Sequence, residues 1–148
     1  MLVIDANVAL EACGEEEGFR ALEDDLAGPP LMWSEARANL HLALVNGEIT
    51  TEEATTMHER LDNCPVARKD PPALGRQAWA LAEELGWGRT YDAEYVALAK
   101  ILGCQLVTID GRLRRGADRL GFVIGPEELT PTTDTQETTG TSRSSAAA

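Results

Sequence analysis

The chain opens with MLVIDANVAL, residues 1–10, and the piece that decides its architecture is LVID, residues 2–5. Leu2, Val3 and Ile4 run without a polar break into the carboxylate of Asp5. A short, uninterrupted apolar run reads as a strand buried on both faces, which is the grammar of a parallel sheet. The same pattern returns in QLVTI, residues 105–109, which runs into Asp110. LMW (31–33) and FVI (122–124) read as two further short strands.

The stretches between these strands carry helix signals. Residues 7–12 and 15–27 read as helical, and Gly28-Pro29-Pro30 then breaks the chain. Ser34 is placed to cap a helix reaching about Asn46, with Gly47 as its stop. Thr50 and Glu53 form a capping box for a helix reaching about Asn63. Asp70-Pro71-Pro72 opens a helix that ends at Gly86. Thr90 is expected to cap a helix from Tyr91 to Leu102, stopped by Gly103, and a short helix over 111–120 ends at Gly121. Strands alternating with helices predict a three-layer α/β/α sandwich around a short central parallel sheet.

The bulk numbers agree with one ordinary domain. The 148 residues are 43% hydrophobic and 26% charged, and no apolar run is long enough to cross a bilayer. The N-terminus shows no signal-peptide pattern, so a cytoplasmic location is expected. Cys13, Cys64 and Cys104 are odd in number and widely spaced, which argues against a disulfide framework or a thiolate zinc site. A folded domain is expected over 1–129. The Thr/Ser-rich stretch 130–148 has no apolar periodicity and is expected to be disordered. A net charge of −12 is unusual for a nucleic-acid binder and comfortable for a chain with a basic partner or bound cations. The basic residues cluster locally: Arg112, Arg114, Arg115 and Arg119 all follow Asp110.

Ligands of open parallel sheets bind beyond the carboxyl ends of the strands. Asp5 and Asp110 belong at that edge. Two more acids stand at helix starts, Glu35 after LMWS and Asp92 in the first turn after Thr90. Asp92 heads the stripe Val96, Ala99 and Leu102, whereas Glu94 reads as a solvated charge. Glu35 heads Ala38, Asn39 and Leu42, which read as mostly apolar. Each acid alone has an ordinary reading as a cap or turn residue. Four together repel unless a counter-charge joins them, and nothing in these motifs places a Lys among them. An all-oxygen set suits a hard divalent ion, Mg²⁺ or Mn²⁺, and such a site suits phosphodiester hydrolysis.

These pieces in this order resemble a PIN-domain ribonuclease, in particular a VapC-type toxin of a toxin–antitoxin pair. The resemblance covers about residues 1–125. It rests on VIDANVAL with Asp5 and Asn7, on WSEARANL with Ser34 and Glu35, and on TYDAEYVALAKILGCQLVTIDGRL with Asp92, Thr108 and Asp110. It implies a PIN-like fold and metal-dependent endoribonuclease activity. Asp5, Glu35, Asp92 and Asp110 would hold Mg²⁺ or Mn²⁺ and activate water. Asn7, Ser34 and Thr108 would support them through hydrogen bonds. It also implies a homodimer and a small cognate antitoxin whose arginine reaches the acids.

Other residues carry weaker signals. Arg112, Arg114 and Arg115 are candidates for the RNA backbone, against the plainer reading of a solvated helix face. Trp79 reads as core, and Trp87 as a candidate groove wall. His41 and His58 show no metal spacing, and Met32 reads as core. A haloacid-dehalogenase-like phosphatase needs D-x-D, and Asn7 stands where the second Asp would be. A receiver domain lacks its paired early acids. No Gly-rich phosphate loop follows LVID. The alternative from another class is a catalytically silent PIN-like partner-binding module, which the presence of all four acids disfavours.

Overall fold

The computed structural model describes residues 1–22 and 24–129, so the tail expected to be disordered over 130–148 lies outside the described residues. The described residues form five strands, β1 (Leu2–Ile4), β2 (Leu26–Gly28), β3 (Val66–Arg68), β4 (Gln105–Val107) and β5 (Val123–Ile124). Six α-helices join them: α1 (Ala6–Cys13), α2 (Leu31–Val45), α3 (Thr51–Asp62), α4 (Leu74–Leu85), α5 (Tyr91–Leu102) and α6 (Gly111–Ala117).

The strands lie in the order β3-β2-β1-β4-β5, and every pairing is parallel. Val3 faces Ala27 on one side and Leu106 on the other. From β1 the chain winds outward through β2 and β3, then returns to start again at β4 on the other flank. The gap between β1 and β4 is therefore the topological switch point, where a cleft opens beyond the strand ends.

Burial explains why so little chain suffices. Val3, Ile4, Leu106 and Val107 are fully inaccessible. Helix α5 presents Ala93, Tyr95, Val96, Ala97, Leu98 and Ala99, all at 0% exposure, because it lies between α4 and strands β1 and β4. Its alanines let it approach closely, while Leu98 fills the space. Truncating such a leucine typically costs about 2–5 kcal/mol. Helices α1, α2 and α3 pack on one another. The Thr50 hydroxyl accepts from Glu53 N at 3.1 Å while Glu53 accepts from Thr50 N at 3.0 Å, the reciprocal pair expected from the sequence. Gly86 and Gly103 end α4 and α5 in the left-handed region, at φ +71° and +65°.

Several sequence expectations are corrected. LMW (31–33) is not a strand but the first turn of α2. Pro30 already has helical angles, φ −52° and ψ −33°, and a ring lacking an N–H suits a helix start. A three-residue apolar run has no period, so a buried helical turn and a strand look alike. Ser34 consequently lies inside α2, exposed, and caps nothing. The helix expected over 15–27 is instead turns, a 3₁₀ turn at Arg20–Leu22, and β2. Gly18 lets the chain fold back onto α1, since a Cβ there would stand 2.1 Å from the Ala12 carbonyl oxygen. Strand β3 went unread because only Val66 of its three residues is buried. Thr90 makes no side-chain capping bond.

Trp79, expected in the core, is 63% exposed. The buried stripe of α4 runs through Leu74, Ala78, Leu81 and Ala82, and Trp79 projects about 100° from Ala78. The stripe of α2 is Met32, Trp33, Ala36 and Leu40, so Ala38 and Leu42 beyond Glu35 are exposed. Met32 is buried as expected.

Candidate active site

Asp5 leaves β1 at the switch point and caps α1, accepting from Val8 N at 2.9 Å through Oδ1. It is 5% exposed, and its other oxygen accepts the hydroxyl hydrogen of Thr108. The same hydroxyl accepts from Asp110 N at 3.0 Å. Asp110 caps α6, its Oδ1 accepting from Arg112 N at 2.8 Å and Leu113 N at 3.4 Å. The plain reading of both aspartates as helix caps is thus correct. It does not exhaust them, because each carboxylate keeps free lone pairs.

Glu35, half-buried in the second turn of α2, and Asp92, in the first turn of α5, face the same region. Glu35, Asp92 and Asp110 line one groove of about 620 Å³ with Trp87, Arg112 and Leu113 among its other walls. Desolvation raises the Asp5 carboxyl pKa from its ordinary value. The Thr108 and Val8 hydrogen bonds oppose that rise, and the charges of Asp110 and Asp92 reinforce it. Glu35 is raised by burial, then by Asp92 and Asp5. Asp92 is exposed, not buried at the end of its stripe as expected, yet partial desolvation within the groove raises it, then Asp110, while Arg112 holds it back. The acids therefore feel one another's charge across the groove. Among the described residues, however, no three acids, histidines or cysteines stand close enough to enclose an ion directly.

Tyr95 is a participant that the sequence did not reveal. Its buried hydroxyl has no hydrogen-bond partner. It lies close enough to Glu35 to favour that carboxylate, yet without hydrogen-bonding geometry. Burial and the neighbouring Glu35, Asp5 and Asp92 push its own pKa well up, so it stays a phenol. A tyrosine within a buried stripe carries no sequence mark that separates it from a core aromatic. Glu94 is also less simple than a solvated charge. It is half-buried, raised by desolvation and by Asp70, and its charge reaches Glu35.

The remaining candidates separate. Asn7 is exposed and accepts from Asn39 Nδ2 at 3.4 Å. Arg112 lines the groove. Arg114 is clamped between Glu127 at 2.7 Å and Glu128 at 2.8 Å. Arg115 lies over Gly111, beside a separate surface hollow shared with Arg114 and Asp118. Trp87 is half-buried and lies against Gly116, where a Cβ would come within 3.1 Å of its ring. His58 accepts from Arg37 Nε at 3.1 Å, a bridge between α3 and α2. No described helix is long and apolar enough to cross a membrane.

Comparison with known proteins gives a consistent outcome. Residues 2–119 match the model of the family described as PIN domain. Ribonuclease VapC9 of Mycobacterium tuberculosis is 31% identical over 115 residues, covering 76% of this chain and 88% of that protein. The crystal structure of PAE2754 from Pyrobaculum aerophilum superposes with a TM-score of 0.64 and 25% identity, over 85% of this chain and 83% of that one. A toxin–antitoxin complex from Klebsiella pneumoniae matches in fold, with a TM-score of 0.62 and 17% identity, over 87% of this chain and 100% of that one.

Proposed function

The chain belongs to the PIN-domain family, and from that premise we propose that it is a metal-dependent endoribonuclease, the toxin of a toxin–antitoxin pair. The relatives named as VapC ribonucleases support the activity, and the solved toxin–antitoxin complex of like fold supports the pairing. The observation that carries the chemistry is the gathering of Asp5, Glu35, Asp92 and Asp110 at the switch point of the sheet. Among the described residues, neither Asp5 nor Glu35 forms a salt bridge.

The donor set fits Mg²⁺ or Mn²⁺. It is all oxygen, its charges are mutually repelled, and the buried Tyr95 hydroxyl beside it lacks a partner. With the acids too far apart for three of them to share an ion directly, water would complete its shell. Such an ion supplies Lewis-acid polarisation of the phosphoryl group and a more acidic bound water.

The protein side of the mechanism follows from its own residues. Asp5, Glu35, Asp92 and Asp110 would hold the ion in this reading, some directly and the others through its bound water. A carboxylate among them takes the proton from the attacking water. Thr108 fixes the rotamer of Asp5 and ties it to the backbone of Asp110, so two ligands from different strands keep one spacing. Arg112 offsets negative charge where the scissile phosphate would enter. Asn7, and Ser34 from its exposed place in α2, are the more peripheral supports. The basic partner that a net charge of −12 and an acid-lined groove suit is a small antitoxin. A homodimer in the cytoplasm completes the proposal.

The test is direct. Purified protein cuts RNA in the presence of Mg²⁺ or Mn²⁺ and not in a chelator, and Asp5→Asn abolishes cutting. An Asp5→Asn protein that cuts as fast as wild type removes the mechanism.

A further inference from the structure

The groove that holds three of the four acids has a second wall of a different character. The segment leaving α4 turns at Gly86, carries Trp87, Gly88 and Arg89, and enters α5 at Tyr91, immediately before Asp92. Arg89 and Tyr91 both line the groove, with Arg112 as its other cation. Tyr91 is 53% exposed, an unusual position for an aromatic ring beside a carboxylate. Arg89 is exposed and has no salt-bridge partner among the described residues. Trp87 differs from both. It packs against the core and on Gly116, so it anchors the segment and leaves Tyr91 as the ring free to meet a ligand.

A polyanion cannot approach Glu35, Asp92 and Asp110 without meeting repulsion, so part of its binding energy must come from elsewhere in the groove. A cation with a free guanidinium fork and an exposed ring, two positions apart in the chain, match a phosphate and its neighbouring base. The groove volume of about 620 Å³ falls within the range of built ligand sites, ~300–1,000 Å³. We infer that Tyr91 stacks a base of the RNA next to the cleavage site and that Arg89 binds an adjacent phosphate. The 86–91 segment is then the wall that positions substrate against the acids. This inference rests on the ribonuclease reading above.

The experiment uses a synthetic RNA that the wild-type protein cuts, with Tyr91→Ala, Tyr91→Phe, Arg89→Ala and, as a control, Trp79→Ala. Trp79 is even more exposed than Tyr91 but lines no part of this groove. Tyr91→Ala raises KM about five- to a hundred-fold with little change in kcat, and Tyr91→Phe stays near wild type. Arg89→Ala weakens binding and reduces the slope of log affinity against log salt by about 0.7, the value for one phosphate contact on a single strand. Replacing the stacked base by an abasic site weakens wild-type binding equally and leaves Tyr91→Ala unaffected. Tyr91→Ala and Arg89→Ala proteins indistinguishable from Trp79→Ala overturn the inference while leaving the nuclease intact. Wild-type protein that cuts no RNA with Mg²⁺ or Mn²⁺ overturns the ribonuclease reading, and this one with it.

Discussion

Thr108 donates its hydroxyl hydrogen to the carboxylate of Asp5, a residue 103 positions earlier in the chain. Both are buried, and the same hydroxyl receives the N–H of Asp110. One side chain therefore connects the ends of β1 and β4 and the cap of α6. It also explains how an aspartate at 5% exposure is tolerated: both of its oxygens are bonded, although its pKa remains raised.

Thr108→Val keeps the shape and removes the hydroxyl. Asp5 loses a donor and Asp110 N loses its acceptor, so the fold loses about 1–3 kcal/mol. RNA cleavage falls more than stability does, because the spacing of two ligands is released. Thr108→Ser restores both. Chemical denaturation and cleavage rates on the three proteins check this, and a Val variant that cuts at the wild-type rate removes the bridging role.

Stability without metal should depend on pH with a definite sign. Asp5, Glu35 and Asp92 have folded-state pKa values above their ordinary ones, so the folded protein holds protons that the unfolded chain releases. Stability is then greatest below about pH 4, as far as these groups decide it, and falls as pH rises through their raised values. Asp24, lowered by the N-terminal amine, works in the opposite direction, so the comparison must be differential. In chelator, the melting temperature of Asp5→Asn falls less from pH 4 to pH 7 than that of wild type. Parallel profiles count against a strained acid cluster.

Divalent metal should reverse that loss. An ion bound only by the folded site stabilises by about 2.7 kcal/mol at a hundred times its Kd. At ~2–4 °C per kcal/mol for a chain of this size, the melting temperature rises by several degrees in Mg²⁺ or Mn²⁺. The shift shrinks in Asp92→Asn and Asp110→Asn. Thermal melts in a metal titration at pH 7 measure it, and a flat titration excludes a preformed site.

Neighbouring arginines should behave differently. Arg112 stands in the groove and steadies Asp92 as a charge, so Arg112→Ala weakens RNA binding several-fold and lowers its salt dependence. Arg114 is held by Glu127 and Glu128, and Arg114→Ala costs under about 1 kcal/mol of stability with RNA binding unchanged. Fluorescence anisotropy with a labelled RNA separates the two. Equal losses for both would contradict the division.

The difference between these arginines marks the limit of what sequence shows. Arg112 and Arg114 are two residues apart and look equivalent, while the partners of Arg114 lie 13 and 14 positions downstream. Signals written within one segment were legible: the apolar β1 and β4, the Thr50–Glu53 box, the glycine stops, and the aspartates that leave each central strand. Strands β2 and β3 were not, because LAG runs straight into the Gly-Pro-Pro break and VAR has only one buried residue, so neither shows the uninterrupted branched apolar run of β1 and β4. Glu35 was located at the sheet edge although the strand assigned just before it is helical, since the Gly-Pro-Pro turn brings α2 to the same edge either way. Tyr95 was missed because its importance lies in what it faces.

Since β1 pairs with the distant β4 as well as with β2, its neighbour in sequence, the order of synthesis has a consequence. Asp5 is made 105 positions before Asp110. Until β4 emerges and docks, β1 has an open flank, and Thr108 is not there to hold Asp5. The four acids can therefore come together only once β4 has been made, and a chain truncated before residue 105 lacks both Thr108 and Asp110.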